Sequence, residues 1–290
     1  MKVVGTIAEV REYVGAAKRR GESVGFVPTM GYLHDGHLAL IRRARAENDV
    51  VVVSIFVNPL QFGPNEDYER YPRDLERDIA LAETGGADLV FAPSVSEMYP
   101  RPMLTYVNVE KLSEGMCGAS RPGHFRGVAT VVCKLFNIVT PDRAYFGQKD
   151  AQQAAVIKRM VGDLNINVQT VTVGTVREPD GLAMSSRNVY LDAGQRSAAL
   201  VLSKSLSLAR RMIEAGERDA GKVRDAMTRM IQSEPLARLD YIALVDAEDL
   251  VPLDRLSGPV LIALAVFIGN TRLIDNILVE VGGCPPTASP

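Results

Sequence analysis

The sequence predicts an α/β fold: a Rossmann-like parallel sheet with helices on both faces, followed by a smaller α+β C-terminal domain. Three observations carry this expectation. Short apolar, β-branched runs alternate with helix-period segments through residue 176. The alternation stops at a polar stretch containing Pro and Gly, EPDGLAMSSRN at 178–188. Beyond it the order changes to helices first and strands afterwards. Parallel neighbours need a crossover of helix length, so strand–helix alternation points to a parallel sheet. The chain is therefore expected to divide into a Rossmann-like domain, residues 1–176, and a smaller lid domain with a loose tail, residues 177–290. A length of 290 residues suits two cores better than one.

The elements follow in order. VGFV at 24–27 is a strand ending at Pro28. HLALIRRARAEN at 37–48 is a helix, with Leu38, Ile41 and Ala44 on one face and Arg42, Arg43 and Glu47 outward. VVVSIFV at 51–57 is apolar almost throughout, the pattern of a strand buried on both faces. PRDLERDIALAETGG at 72–86 is a helix stopped by two glycines, and ADLVFAP at 87–93 is a strand. A helix over 127–139, a short strand at 144–146, a helix capped by Asp150 and a strand at 167–176 complete the first domain. In the second, one long helix is expected over 193–215, with Ala199, Leu202, Leu206, Ala209 and Ile213 at helical spacing. A helix over 219–232 and three strands at 239–246, 259–269 and 271–281 follow. GGCPPTASP, the last segment, reads as a loose tail.

Composition narrows the function. Hydrophobic residues make up 47% and charged residues 23%, ordinary for a globular chain. The net charge of -2 supplies no basic field to gather nucleic acid. Cys117, Cys133 and Cys284 form no CxxC pair and no metal-ligand spacing. MKVVGTIAEVREYVG lacks the apolar centre of a signal peptide. No apolar run reaches the roughly 20 residues that span a bilayer. A cytoplasmic protein without membrane or nucleic-acid partners is expected.

Two constellations carry chemistry. His34 and His37 stand in H-x-G-H, directly after a strand and at the start of a helix. A helix N-terminus offers unpaired N–H groups and partial positive charge. Gly36 is expected to let a phosphate approach the backbone. Two imidazole donors there would stabilise negative charge growing on a transferred phosphate. The plainer alternative is two surface histidines beside a cap; a zinc site lacks a third ligand. The second constellation is Gly147-Gln148-Lys149-Asp150, again between strand and helix, together with Met184-Ser185-Ser186-Arg187 in the later loop. Lysine, arginine and hydroxyls suit a triphosphate. Taken singly, Lys149 and Asp150 are more often a solvated turn and a cap, and the Met-Ser-Ser-Arg segment a loop with a helix-cap serine.

Together these segments resemble the class I adenylyl-transferase pattern, in which an HxGH site and a KMSKS-like loop enclose ATP. The usual lysine of that loop is absent; Arg187 and Lys149 can supply its charge. Four stretches resemble the pantothenate synthetase family more closely: FVPTMGYLHDGH (26–37), VSIFVNPLQFGPNEDYERYPRDLERD (53–78), RPGHFRGVATVVCKLFNIVTPDRAYFGQKDAQQ (121–153) and REPDGLAMSSRN (177–188). That resemblance implies a two-step reaction. Pantoate attacks the α-phosphorus of Mg-ATP to give pantoyl adenylate and pyrophosphate, and β-alanine then displaces AMP.

The resemblance also implies residue roles. His34 and His37 stabilise phosphate charge, and Lys149, Ser185, Ser186 and Arg187 hold the triphosphate. Gly147, Asp150, Val176 and Met184 help hold the nucleoside. Gln61 and Gln153 bind pantoate, Met30 lies close to both ligands, and Asn58 lies near the acyl adenylate. His124 contacts the triphosphate or β-alanine, or simply caps a helix. Asp78 is the candidate for Mg²⁺, directly or through water. The resemblance further implies a homodimer, and the polar, Pro- and Gly-containing stretch from residue 178 reads as a loop or hinge. A nucleotidyltransferase on the same scaffold and a non-catalytic ATP-binding module are the competing readings.

Overall fold

The computed structural model describes residues 1–64 and 66–282. The chain divides into two compact units. One comprises Met1–Val176 with Met184–Ser186, the other Arg177–Ala183 with the residues from Arg187 onward.

The first unit runs β1 (Lys2–Val4), α1 (Ile7–Arg19), β2 (Val24–Thr29), α2 (Asp35–Glu47), β3 (Val50–Ile55), α3 (Leu75–Gly85), β4 (Leu89–Phe91), α4 (Val95–Met98), α5 (Cys117–Ser120), α6 (His124–Val139), β5 (Arg143–Gly147), α7 (Ala151–Asp163) and β6 (Gln169–Val173). The strands form one parallel sheet in the order β1-β4-β3-β2-β5-β6. Helices α1, α6 and α7 pack as one layer and α2 and α3 as another. The first five residues of β3 are buried between them, as its unbroken apolar run requires. In α2, Leu38, Ile41 and Ala44 are buried, while Arg43 pairs outward with Glu47 at 2.5 Å. Helix α3 starts one residue after Asp74, whose carboxylate caps the Arg77 N–H. It stops at Gly86, whose φ of 97° few other residues adopt.

This topology has a switch point. From β2 the chain steps to β3 and β4 on one side, and returns to β5 and β6 on the other. Ligands of open parallel sheets bind at such a reversal, beyond the carboxyl ends of the strands. The pairing shows why. β2 stays in register with β3 as far as Thr29 and Ile55, but with β5 only as far as Phe26 and Ala144. The carboxyl ends of β2 and β5 therefore splay apart.

The second unit contains α8 (Ala193–Ala198), α9 (Leu200–Glu214), α10 (Ala220–Gln232) and the antiparallel sheet β7 (Ala237–Asp246), β8 (Gly258–Ile268) and β9 (Thr271–Val281). Ala220, Val223, Met227 and Ile231 of α10 join Leu202, Leu206, Ala209 and Ile213 of α9 in one core with the sheet. Here the buried Asp275 of β9 accepts a fork of two bonds from Arg177, at 2.7 and 2.9 Å.

Three differences from the sequence-based expectations stand out. β1 and α1 were not anticipated; three strand residues and a helix with few bulky apolar side chains give a weak periodic signal. The helix expected over 193–215 breaks at Ala199, where the Leu202 N–H turns to the Ala199 carbonyl, a tighter i→i+3 bond. The strand expected over 167–176 is only Gln169–Val173. The tail and Cys284 lie outside the described residues, apart from Gly282.

Removing Arg177 would leave a buried, unpaired carboxylate. Arg177→Met is expected to lower stability by about 3 kcal/mol, the low end for breaking a buried pair because Arg177 keeps some solvent. Urea unfolding checks this, and an unchanged midpoint would contradict it.

Candidate active site

The turn after β2 is the foundation of the site. Gly31 and Tyr32 both take left-handed backbone, with φ of 86° and 50°. That conformation is costly for a bulky residue such as tyrosine. The Asp78 carboxylate, only 1% exposed, compensates: it accepts the Tyr32 and Leu33 N–H groups, each at 2.6 Å. A Cβ at Gly31 would lie 2.9 Å from Asp78 Oδ2 and 3.0 Å from Ile55 Cγ2, so the close approach requires glycine. Burial raises the pKa of Asp78, against the pull of the two backbone bonds and Arg77. Arg77 also lies over the Tyr32 ring at 4.9 Å.

The turn delivers His34 to the N-cap of α2. His34 Nδ1 accepts the Gly36 N–H at 3.1 Å, and His37 Nδ1 accepts the His34 N–H at 3.3 Å. This is a reciprocal capping box built from two imidazoles. Glycine at position 36 also serves the cap itself: a Cβ there would lie 2.8 Å from His34 Cε1, so its absence admits the folded-back ring. Because both Nδ1 atoms accept, both Nε2 atoms carry the hydrogen. The two rings stand 4.1 Å apart between centroids. Burial, then Lys149, lowers His34 to about 4. Burial, then His34 and Lys149, lowers His37 well below the usual range. At neutral pH the pair is therefore two uncharged N–H donors.

A second group stands at the carboxyl end of β3. Pro59–Gln61 forms one 3₁₀ turn capped by Asn58, whose Oδ1 accepts the Leu60 N–H at 3.3 Å. Asn58 is consumed by protein contacts. Its Oδ1 also accepts the Tyr99 hydroxyl at 2.7 Å, and its Nδ2 donates to Gln61 Oε1 at 3.1 Å and the Gly127 carbonyl at 3.3 Å. Gln61 Nε2 points at Met30 Sδ, 2.9 Å away. Helix α6 packs directly on this turn, because a Cβ at Gly127 would sit 2.1 Å from the Leu60 carbonyl oxygen. His124, at the start of α6, places Nδ1 2.8 Å from the Gln61 carbonyl oxygen. Burial, then Arg121, lowers His124 to about 4.

The third group follows β5. Gln148–Asp150 makes a 3₁₀ turn, and Asp150 precedes α7 without a side-chain capping bond, so the expected cap is not made. Lys149 Nζ lies 4.0 Å from Asp150 Oδ2. The field of Lys149 reaches both His34 and His37, and that of Asp150 reaches His34 and His124. Gln152 faces inward, accepting the Cys117 N–H and donating to the Leu112 and Gly115 carbonyls. Gln153 beside it makes no side-chain hydrogen bond among the described residues and stays partly exposed. An added Cβ at Gly147 would meet open space.

The Met184–Ser186 segment completes the first unit. The Met184 N–H bonds the Val176 carbonyl at 3.0 Å, and Met184 Cβ lies 3.9 Å from where a Gly36 Cβ would be. Ser186 is buried, with its hydroxyl on the Tyr32 carbonyl at 3.2 Å. Arg187 belongs to the second unit. Asp78 has both oxygens on backbone N–H groups, and no cluster of three His, Cys, Asp or Glu side chains could hold a metal among the described residues. Tyr99, Gly127 and Gln152 also shape the site without being signalled as site residues by the sequence. Gly127 stands inside RPGHFRG, whereas nothing local marks Tyr99.

Comparison with known proteins adds to the geometry. Residues 2–278 match the profile of the family described as Pantoate-beta-alanine ligase. The chain is 63% identical over 281 residues to the pantothenate synthetase of Moorella thermoacetica, covering 97% of this chain and 99% of that one. It is also 63% identical over 278 residues to the pantothenate synthetase of Pelotomaculum thermopropionicum, covering 96% and 99%. A crystal structure of pantothenate synthetase from Thermus thermophilus matches with a TM-score of 0.92 at 51% identity, covering 98% of this chain and 100% of that one. A Francisella tularensis pantoate-beta-alanine ligase, complexed with beta-gamma ATP and beta-alanine, matches with a TM-score of 0.78 at 36% identity, covering 96% and 97%.

The histidine geometry makes a spectroscopic prediction. Ring-nitrogen NMR should find His34 and His37 as Nε2–H tautomers and His124 as Nδ1–H, with no imidazolium at about pH 6. An unfolded imidazole protonates near 6.5, whereas folded His34 and His124 do so near 4. The unfolded chain therefore binds more protons between those values. Stability contributed by these residues is complete above pH 6.5 and falls as the pH drops toward 4. A protonated His34 at about pH 6, or its opposite tautomer, would contradict the arrangement.

Proposed function

The chain belongs to the pantoate–β-alanine ligase family and is an ATP-dependent ligase of pantoate and β-alanine; on that premise we propose how its residues carry the reaction. The pantoate carboxylate attacks the α-phosphorus of ATP, forming pantoyl adenylate and releasing pyrophosphate. The neutral amine of β-alanine then attacks the acyl carbon, and AMP departs to leave pantothenate. Activation is needed because a carboxylate is a poor acyl donor until its oxygen leaves as part of AMP.

The observation that carries this reading is the pair of uncharged imidazoles at the α2 N-cap, both with Nε2–H free of the capping bonds. Fixed donors aimed at growing phosphate charge need no reorganisation during reaction. Their neutrality suits them to hold a donor hydrogen throughout the step. Lys149, Ser185 and Arg187 grip the triphosphate, while Ser186 holds the loop to the Tyr32 carbonyl. Gly147, Asp150, Val176 and Met184 hold the nucleoside. Gln61 and the unengaged Gln153 receive pantoate, Met30 lies beside it, and Asn58 acts by orienting the Gln61 amide. Alignment of carboxylate and α-phosphate alone is worth on the order of 7–11 kcal/mol in favourable cases.

Mg²⁺ enters as part of the substrate, held by triphosphate oxygens and water. Asp78 does not fit a direct ligand: it is buried, and both oxygens serve the Tyr32 and Leu33 amides. A homodimer follows from the family resemblance. A cytoplasmic location agrees with Cys117 and Cys133 standing outside any disulfide. Among the described residues, no helix is long and apolar enough to cross a membrane.

Pyrophosphate release from Mg-ATP with D-pantoate, followed with and without β-alanine, tests the scheme. Stoichiometric release without β-alanine and sustained turnover to pantothenate with it are expected. His34→Ala or His37→Ala should each slow pyrophosphate release about 10²–10³-fold, the effect of losing one preorganised donor. A dinucleotide product would instead favour a nucleotidyltransferase.

A further inference from the structure

Gln61 sits on a turn that cannot hold itself. The Pro59–Gln61 turn has two backbone bonds, Gln61 N–H to the Asn58 carbonyl at 3.4 Å and Phe62 N–H to the Pro59 carbonyl at 3.3 Å. A single 3₁₀ turn with long bonds is marginal. Yet the Gln61 side chain is buried and aimed. The restraint comes from outside the turn. The Gln61 carbonyl accepts His124 Nδ1 at 2.8 Å and Arg121 Nη2 at 3.3 Å. Arg121 Nη1 donates to His124 Nε2 at 3.0 Å. Glu66 fixes the guanidinium from the far side, accepting Nε at 2.8 Å and also Nη2.

We propose that Glu66, Arg121 and His124 form a relay that positions Gln61 for pantoate by clamping its backbone carbonyl. The inference rests on the pantoate role of Gln61 given above. The donor–acceptor order leaves no ambiguity about His124. A carbonyl can only accept, so Nδ1 carries the hydrogen; a guanidinium can only donate, so Nε2 offers its lone pair. Both ring nitrogens are engaged by protein groups. His124 is therefore a positioning residue rather than a contact for triphosphate or β-alanine. Glu66 stabilises the arrangement, since its charge balances Arg121 beside an uncharged imidazole. Although burial opposes ionisation, Arg121 holds the Glu66 carboxyl below its ordinary pKa. The same helix presents Gly127 to the turn, where a Cβ would lie 2.7 Å from the Gln61 Cα. Helix α6 thus sets the turn by contact and by hydrogen bond, and the Glu66 fork keeps the donors in place.

Steady-state kinetics with each substrate varied separately tests the relay. His124→Ala should raise the KM for pantoate about tenfold, the loss of one well-made bond, while the KM for ATP stays within about twofold. His124→Asn places an amide N–H where Nδ1 stood and should bring the pantoate KM back to within about threefold of the wild type. Glu66→Gln should raise the pantoate KM about threefold, and combining it with His124→Ala should raise it by less than the product of the two single effects, since both act through one carbonyl. Gln61→Ala is run beside them. If it leaves the pantoate KM unchanged, the pantoate role of Gln61 falls and the relay falls with it. If Gln61→Ala raises that KM and His124→Ala does not, the relay alone is wrong. Parallel rises in both KM values, or no rescue by asparagine in a variant with normal thermal unfolding, would equally overturn it.

Discussion

The bonds from the Asp78 carboxylate to the Tyr32 and Leu33 amides hold the turn on which the histidine pair is built. The turn bends through two consecutive left-handed residues, one of them a tyrosine. Without the carboxylate, the backbone would leave two buried donors unpaired and retain the conformational cost. With it, His34 arrives at the N-cap of α2 and the imidazole capping box closes. Ser186 binds the carbonyl of the same Tyr32 residue, which is thus held at both its N–H and its C=O. The acid whose sequence position suggested a metal ligand serves the backbone instead.

A second constraint runs through α6. Glycine at position 127 removes the side chain that would separate the helix from the Pro59–Gln61 turn. Asn58 commits its amide to Gln61, Gly127, Leu60 and Tyr99, which orients the Gln61 carboxamide. Site polarity is thus layered: groups satisfied wholly within the protein orient the side chains beside them. Gln152 and Gln153 divide the same labour between neighbouring positions, one buried on carbonyls and the other unengaged.

Electrostatics follows from the fold rather than from net charge. The splayed ends of β2 and β5 bring the Lys149 turn into the field of the histidines. Burial and the lysine act in the same direction, keeping both imidazoles uncharged. A neutral donor pair beside a cation suits an anionic substrate whose charge shifts during reaction. Asp150 opposes the lysine at His34, and its field also reaches His124.

Much was legible in the sequence because it is local. Periodicity identified the parallel sheet and the α+β segment, since burial on one or both faces leaves a pattern in neighbouring residues. HxGH, GQKD and AMSSRN marked the loops at strand ends, and the four longer stretches pointed to the family. What the tertiary structure decided is who partners whom. The Asp78–Tyr32 bond spans 46 positions and the His124–Gln61 contact 63, and no periodic signal encodes such pairs. Likewise the role of Gly36, the missing Asp150 cap and the tautomers of three histidines depend on which atoms meet. Residue types determine what chemistry is possible; the distances between distant segments determine which hydrogen bonds serve the fold and which remain for the substrate.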